Sequence, residues 1–357
     1  MPKTYKHLYQ EIISFENLYL AFKDARRLKS EKPEVLEFSY HAEERLWDIH
    51  NKLEKHIWVP SPYREFLSKT EVKRRVIHAP AFADRVVHMA LFRILMPIFE
   101  ERFIYDSYAC RKGKGTLAAV MRTQDFLRRA RNSFDKTYVL QGDFQKYYDS
   151  IYKPALLRNF ARRISDHEVL DLLTLIYYTY NNNDTGIPIG ATTSQLAANV
   201  LLDSLDHFVK EELRAKFYIR YMDDFIILDP EKEILWSYFH DIKEFSETEL
   251  RLNLNKKTRI FPSSRGINFC DYRTWWNHIL PRRRNVSAAR KRFKTLNWKY
   301  HHGLATIEDI EQRVASFRGY MSHCNGAFTE FSVLNELYEN IEKSSSSFIL
   351  SKNRRGA

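Results

Sequence analysis

Asp223 and Asp224 stand side by side in the stretch FYIRYMDDFIILDP, Phe217 to Pro230, whose other residues are mostly apolar or aromatic. Such runs fold as buried strands. A carboxylate set among them is costly unless it is paired or binds a metal. FYIRY and FIIL are both β-forming, so the simplest reading is strand, acidic turn, strand. A third carboxylate, Asp143, ends the β-forming run TYVL about eighty residues earlier. Three carboxylates at the ends of neighbouring strands make a hard-oxygen site that suits Mg²⁺ and substrate phosphates. Two such ions clamp the attacking and leaving oxygens of an in-line phosphoryl displacement. The alternative is a surface hairpin with an acidic turn, and the apolar flanks favour the metal.

The surrounding elements must position these groups. Residues 1–60 carry apolar residues at helical spacing. KTYVLQGD at 136–143 reads as a strand, and KPALLRNFARRI as a helix with Pro154 in its first turn. VLDLLTLIYYTY is a further helix, NNNDTGIPIG a loop, and SQLAANVLLDSLDHFVKEEL a long amphipathic helix. From residue 273 the chain turns densely basic with interleaved aromatics. Thr306 and Asp309 there form a capping-type start to a helix. Trp275, Trp276 and Trp298 could stack on bases or sugars, with core packing the better fit for most of them.

The 357 residues hold 57 Lys and Arg against 45 Asp and Glu, a formal charge of +12, with 21 Tyr and 24 Phe. That balance suits a nucleic-acid partner. Only 10 glycines argue against a Gly-rich nucleotide fold. Cys110, Cys270 and Cys324 are far apart with no C-x-x-C, which fits a reducing cytoplasm and no zinc or disulfide framework. No signal peptide or membrane-length apolar run is evident, so a cytoplasmic protein is expected. Arg75 and Lys73, on one face of a strand before VIHAP, suit triphosphate oxygens. RKGKGT lacks the Walker spacing and reads as a basic loop, with Arg111, Lys112 and Lys114 suited to nucleic-acid phosphates. Arg282, Arg283, Arg284, Arg290, Lys291 and Arg292 would contact nucleic-acid phosphates.

The order of the motifs resembles the reverse transcriptases. YMDD at 221–224, GDFQKYYDSI at 142–151, GIPIGATTSQ at 186–195, LNLNKKTRI at 252–260 and RGINFCDY at 265–272 follow that family's sequence of motifs. SYACRKGKGT, FADRVVHMAL, Ile189 before Gly190, and Gln195 after Ser194 resemble the enzymes of diversity-generating retroelements. Leu117 departs from them, standing where they often have His.

The resemblance implies an α+β right-hand polymerase with fingers, an antiparallel palm sheet packed on helices, and an α-helical thumb. The expected boundaries are a helical extension at 1–60, fingers at 61–135, palm at 136–272 with a helical insertion at 163–185, thumb at 273–345 and a flexible tail at 346–357. No RNase H or endonuclease domain is expected after the thumb. Asp143, Asp223 and Asp224, with the Phe144 carbonyl, would hold two Mg²⁺, Mn²⁺ serving as substitute. Tyr148 would be the steric gate against a ribose 2′-OH, and Lys257 the proton donor to pyrophosphate. Gly190 would let the backbone approach the nascent base pair, and Ile189 beside it is associated with loose templating, notably opposite adenine.

The implied activity is error-prone cDNA synthesis from an RNA template with a DNA or RNA primer and dNTPs. A structured noncoding RNA and a small basic helical accessory protein are the implied partners, with no membrane. Two alternatives stand beside it: a reverse transcriptase of antiphage defence with a dedicated noncoding RNA, and a catalytically silent nucleic-acid-binding scaffold.

Overall fold

Residues 1–60 fold as helices, as their spacing predicts: α1 (Leu8–Ile13), α2 (Phe15–Arg26), α3 (Pro33–Tyr40) and α4 (Ala42–Glu54). The computed structural model describes residues 4–68 and 75–353, those from 342 onward by their backbone alone. The hairpin β1 (Arg64–Leu67) and β2 (Val76–Ala79) precedes the helices α5 (Phe82–Glu100) and α6 (Thr116–Ser133). β3 (Tyr138–Gly142) stops one residue short of Asp143, and α7 (Tyr147–Ser150) is a single turn after it. α8 (Lys153–Ala161) has Pro154 in its first turn, and α9 (His167–Tyr180) and α10 (Thr192–His207) follow. β4 (Phe217–Tyr221) and β5 (Asp224–Asp229) are the strands expected around the Asp pair. α11 (Lys232–Phe245) and β6 (Arg259–Pro262) come next. The chain closes with β7 (Ile267–Phe269), β8 (Tyr272–Thr274), β9 (Ile279–Pro281), α12 (Arg283–His301), α13 (Ile307–Met321) and α14 (Ala327–Asn353).

These elements make an α+β chain of two units, Met1–Gly115 with Val139–Ile260, and Thr116–Tyr138 with Phe261–Ala357. α6 packs on β8 within the second unit. In the first unit the strands run in the order β4-β5-β3-β6, so β5 and β3 are neighbours and the YMDD turn and Asp143 can share one edge. One carboxylate starts two of its helices. Asp166 accepts from the amides of Leu8 and Tyr9 at 2.7 and 3.0 Å and, as N-cap of α9, from that of Val169 at 3.3 Å.

α10 differs from its amphipathic reading. Every residue from Leu196 to Asp206 is buried, including Asn199, Asp203 and Asp206. Its polar positions face internal partners rather than water, and its helix widens into a π turn at Phe208–Glu212.

In the second unit β7, β8 and β9 form an antiparallel sheet. Phe293 of α12, Ile310, Val314 and Phe317 of α13, and Leu334 and Leu337 of α14 share a core. The expected capping box is present, with Thr306 N donating to Asp309 at 2.9 Å and Asp309 N to Thr306 at 3.3 Å. α14 runs on as helix to Asn353, through part of the expected tail, and residues 354–357 lie outside the described residues. Among the described residues no helix is long and apolar enough to cross a membrane.

Candidate active site

The turn that carries Asp223 is tight. Tyr221 pairs with Asp224, leaving Met222 and Asp223 as a two-residue loop between β4 and β5. Met222 takes a positive φ of 54°, a conformation that usually calls for glycine in such hairpins. Arg220 holds it there. This fully buried guanidinium donates to the Met222 carbonyl at 2.9 Å, to both Asp206 oxygens at 2.7 and 2.6 Å, to Asn199 Oδ1 at 3.2 Å and to Ser107 Oγ at 3.1 Å. Tyr218 adds a hydroxyl to Asp206 at 2.7 Å. Burial alone would pull the Arg220 pKa down, but the Asp206 carboxylate outweighs it and keeps the guanidinium charged. This network escaped the sequence reading. The one signal was an arginine inside FYIRY, in an otherwise apolar and aromatic strand.

Asp143 lies on the neighbouring strand, and a glycine makes the approach possible. A Cβ on Gly142 would lie 2.5 Å from the Phe225 ring and 3.1 Å from Thr258, so the residue after Asp224 packs directly on the residue before Asp143. Burial raises the pKa of Asp223, and the charge of Asp143 pushes the same way, while the turn's backbone amide, Arg75 and Arg220 oppose them. Asn255 braces Asp143 through Nδ2 to Oδ2 at 3.2 Å and its own amide to the Asp143 carbonyl at 2.8 Å. Its Oδ1 accepts from the amide of Lys257 at 3.1 Å, tying the exposed lysine's turn to the carboxylate. Gln145 N donates to Asn253 at 2.9 Å. These two backbone bonds straddle the Phe144–Leu254 bridge, so the Phe144 carbonyl is directed away from Leu254. Its ring is core, 6.2 Å from that of Phe225.

Asp143, Asp223 and the Phe144 carbonyl are a hard-oxygen donor set whose two like charges raise each other's cost, and a divalent cation fits both facts. Among the described residues no three His, Cys, Asp or Glu side chains are grouped so as to hold one ion.

Tyr148 reaches this turn, its hydroxyl 3.8 Å from Met222 Sδ. Burial raises its pKa, with Cys110 and Asp223 adding to the effect and Arg75 opposing it. Arg75 therefore lies within electrostatic reach of both Asp223 and Tyr148. Lys73 lies outside the described residues.

The 186–195 loop is docked on the β1–β2 hairpin. The His78 amide donates to the Ile189 carbonyl at 2.7 Å. Gly190 has φ +123°, and a Cβ there would lie 2.8 Å from Ile77 and 3.2 Å from the His78 carbonyl. This glycine therefore permits close approach to β2, and the sequence pointed also to a base pair. Thr193 at the start of α10 meets buried His88 Nδ1 at 2.7 Å. Burial lowers the His88 pKa to about 4, so this pin stays neutral. Gln195 is exposed on the first turn of α10.

The basic residues divide. Arg111 is an internal clamp, its side chain nearly buried. It donates to Glu100 at 2.7 to 3.0 Å and to the carbonyls of Ile104 and Ser107 at 2.7 Å each. This corrects its reading as a nucleic-acid contact, since most of its donors are spent inside the fold. Lys114 lies over the Tyr105 ring at 3.5 Å and donates to the Tyr105 carbonyl at 2.8 Å, while Lys112 is exposed. Arg282 is the N-cap of α12. On that helix Arg284 pairs with Asp271 at 3.3 Å and Arg290 with Glu336. Arg283, Lys291 and Arg292 are exposed.

The profile of the family described as "Reverse transcriptase (RNA-dependent DNA polymerase)" matches residues 67–274. Protein YkfC of Escherichia coli is 25% identical over 258 residues, covering 60% of this chain and 67% of that one. The group II intron-encoded protein LtrA of Lactococcus lactis is 26% identical over 185 residues, covering 49% of this chain and 30% of LtrA. The chain thus spans less than a third of LtrA's length. Among solved structures, telomerase from Candida albicans with a fragment of telomeric RNA aligns at TM-score 0.48 and 14% identity, over 81% of this chain and 55% of that one.

Proposed function

The chain belongs to the reverse transcriptase family, and from that premise we propose that it is an RNA-directed DNA polymerase making cDNA by two-metal nucleotidyl transfer. One observation carries the reading: Asp223 lies within electrostatic reach of Asp143 and Arg75, in the turn whose Met222 meets the Tyr148 hydroxyl. The primer 3′-oxygen attacks the α-phosphate of a dNTP, and the bond to pyrophosphate breaks as the new O–P bond forms. Asp143, the Phe144 carbonyl, Asp223 and Asp224 would hold the ions. Mg²⁺ there, or Mn²⁺ in its place, would supply neutralisation of charge on the phosphate and its leaving oxygen. Arg75, with Lys73, grips the triphosphate. Tyr148 excludes a 2′-OH, and Lys257 gives its proton to pyrophosphate. Lys112, Arg283, Lys291 and Arg292 meet template–primer phosphates, so binding weakens steeply with salt.

The test is extension of a primer on RNA with and without Mg²⁺. Asp223→Asn is expected to cost at least about 10³-fold in rate, the several kcal/mol of a metal clamp. Its melting temperature without metal is expected not to fall, because the substitution removes a charge that burial and Asp143 both oppose. Near-normal extension by this variant would sink the proposal.

Within the family, Ile189 and Gln195 favour the enzymes of diversity-generating retroelements. Ile189→Gln is then expected to change misincorporation opposite template adenine, read by sequencing the cDNA. An unchanged error spectrum removes Ile189 from that role. A template repeat, a variable repeat and a gene for a small basic helical protein nearby would support the retroelement, and their absence would favour defence.

A further inference from the structure

A cleft of about 550 Å³ lies between α12 and α14, within the ~300–1,000 Å³ range of small-molecule sites. The proposed reaction makes no use of it. Its walls include Arg290, Asn297, Trp298, His301, His302 and Glu336. Asn297 is 8% exposed, yet its side-chain oxygen has no hydrogen-bond partner, and neither has Nε2 of His301. Buried polar atoms in native folds are nearly always paired, so an orphan calls for an explanation, and here two belong to residues that line one cleft. Trp298 is 55% exposed and stacks on His302 with centroids 4.2 Å apart, a planar platform at the surface. Arg290 and Lys294 share the single carboxylate of Glu336, which leaves one positive charge over at that wall. α12 carries seven Lys and Arg and no Asp or Glu.

We infer that this cleft receives an unstacked nucleobase. Three properties select that ligand class. A base has a flat face for the Trp298–His302 platform. Its exocyclic amine can donate to the orphaned Asn297 oxygen, which is occluded until that side chain turns toward the cleft, so adenine or cytosine is preferred. The attached phosphate takes the surplus charge of Arg290 and Lys294. Single-stranded RNA is recognised in this manner, by splayed bases stacked on aromatic side chains and hydrogen-bonded along their edges. A peptide would also offer amide donors, but a helix with seven cations and no acid favours the polyanion. The inference rests on the nucleic-acid reading of the chain and adds a base-holding site away from the carboxylates.

The experiment titrates the full chain into a single-stranded RNA 12-mer bearing one 2-aminopurine and, separately, into 2-aminopurine riboside monophosphate. No dNTP or divalent ion is present, so the assay is blind to polymerisation. A chain that binds but does not extend would overturn the polymerase reading and leave this one standing. The expected result is saturable quenching of the fluorescent base. Trp298→Ala and Asn297→Leu should each weaken it by about 10-fold, within the range of one stacked base. Asn297→Leu replaces an orphaned amide with an apolar group of similar size, so its melting temperature should hold or rise. A loss of binding then cannot be a loss of fold. Quenching by the 12-mer alone assigns the cleft to a base within a strand, and equal quenching by the mononucleotide assigns it to a free nucleotide. Wild-type titration curves in both variants would overturn the inference.

Discussion

Among the described residues two two-residue hairpin turns are built from ordinary residues in glycine-like conformations, and they are held in different ways. At the β4–β5 turn Met222 has φ 54°, and its carbonyl is gripped from inside by Arg220, a fully buried charge matched by Asp206. At the β7–β8 turn Cys270 and Asp271 have φ 45° and 71°. The Asp271 carbonyl accepts from the Tyr320 hydroxyl at 2.7 Å and from the Arg282 amide at 3.1 Å, and its side chain meets exposed Arg284 at 3.3 Å. The first turn hangs on one ionised group in a dry interior. The second hangs on several neutral donors near water, with burial raising the Tyr320 pKa and so keeping that hydroxyl neutral. The lesson is that similar backbone strain can be held stiffly or loosely, and the turn bearing Asp223 is the stiff one.

The comparison can be broken most severely at Arg220. Arg220→Met leaves Asp206 as an unpaired buried charge and should cost about 3–5 kcal/mol, read by denaturant melts. Adding Asp206→Leu should recover most of that stability, because an apolar pair commonly replaces a buried ion pair at little cost. It should not recover turnover, because nothing then holds the Met222 carbonyl. A double variant with normal kcat would show that Arg220 serves the fold alone. Tyr320→Phe should cost about 1 kcal/mol, since the Arg282 amide still reaches Asp271. A loss near that of Arg220→Met would erase the distinction between the turns. Arg284→Ala should change stability by no more than about 0.5 kcal/mol and less at high salt. A larger loss would mean that the exposed pair is a true anchor.

What could be read locally in the sequence was read correctly. The strands around Asp223 and Asp224 follow from period-two patterning, and the Thr306–Asp309 cap from a spacing of three residues. These signals lie within one turn or one hairpin. Arg111 was misread because its partner Glu100 lies eleven residues away on another element, and a basic loop looks alike whether its charges meet phosphate or carboxylate. α10 was misread for a related reason. Asn199, Asp203 and Asp206 resemble a solvated face until Arg102 and Arg220 are brought against them. Gly190 was singled out for approach to a base pair, and a Cβ there would also meet β2.

The sequence by itself determined the chemistry on offer: three aspartates at strand ends, an aromatic five residues after Asp143, and a basic C-terminal third. Residue type and short spacing suffice for that, because hairpins and caps are made by neighbours. Only the tertiary structure decided which charges are available. Long-range pairing consumes Arg111 and Arg220 inside the fold, brings Asp143 within electrostatic reach of Asp223 across β3 and β5, and leaves Asn297 Oδ1 and His301 Nε2 without a hydrogen bond. The physical reason is that a charge or a polar atom has no fixed value along the chain. Burial sets what it costs, and the partner that folding delivers sets whether the cost is offset.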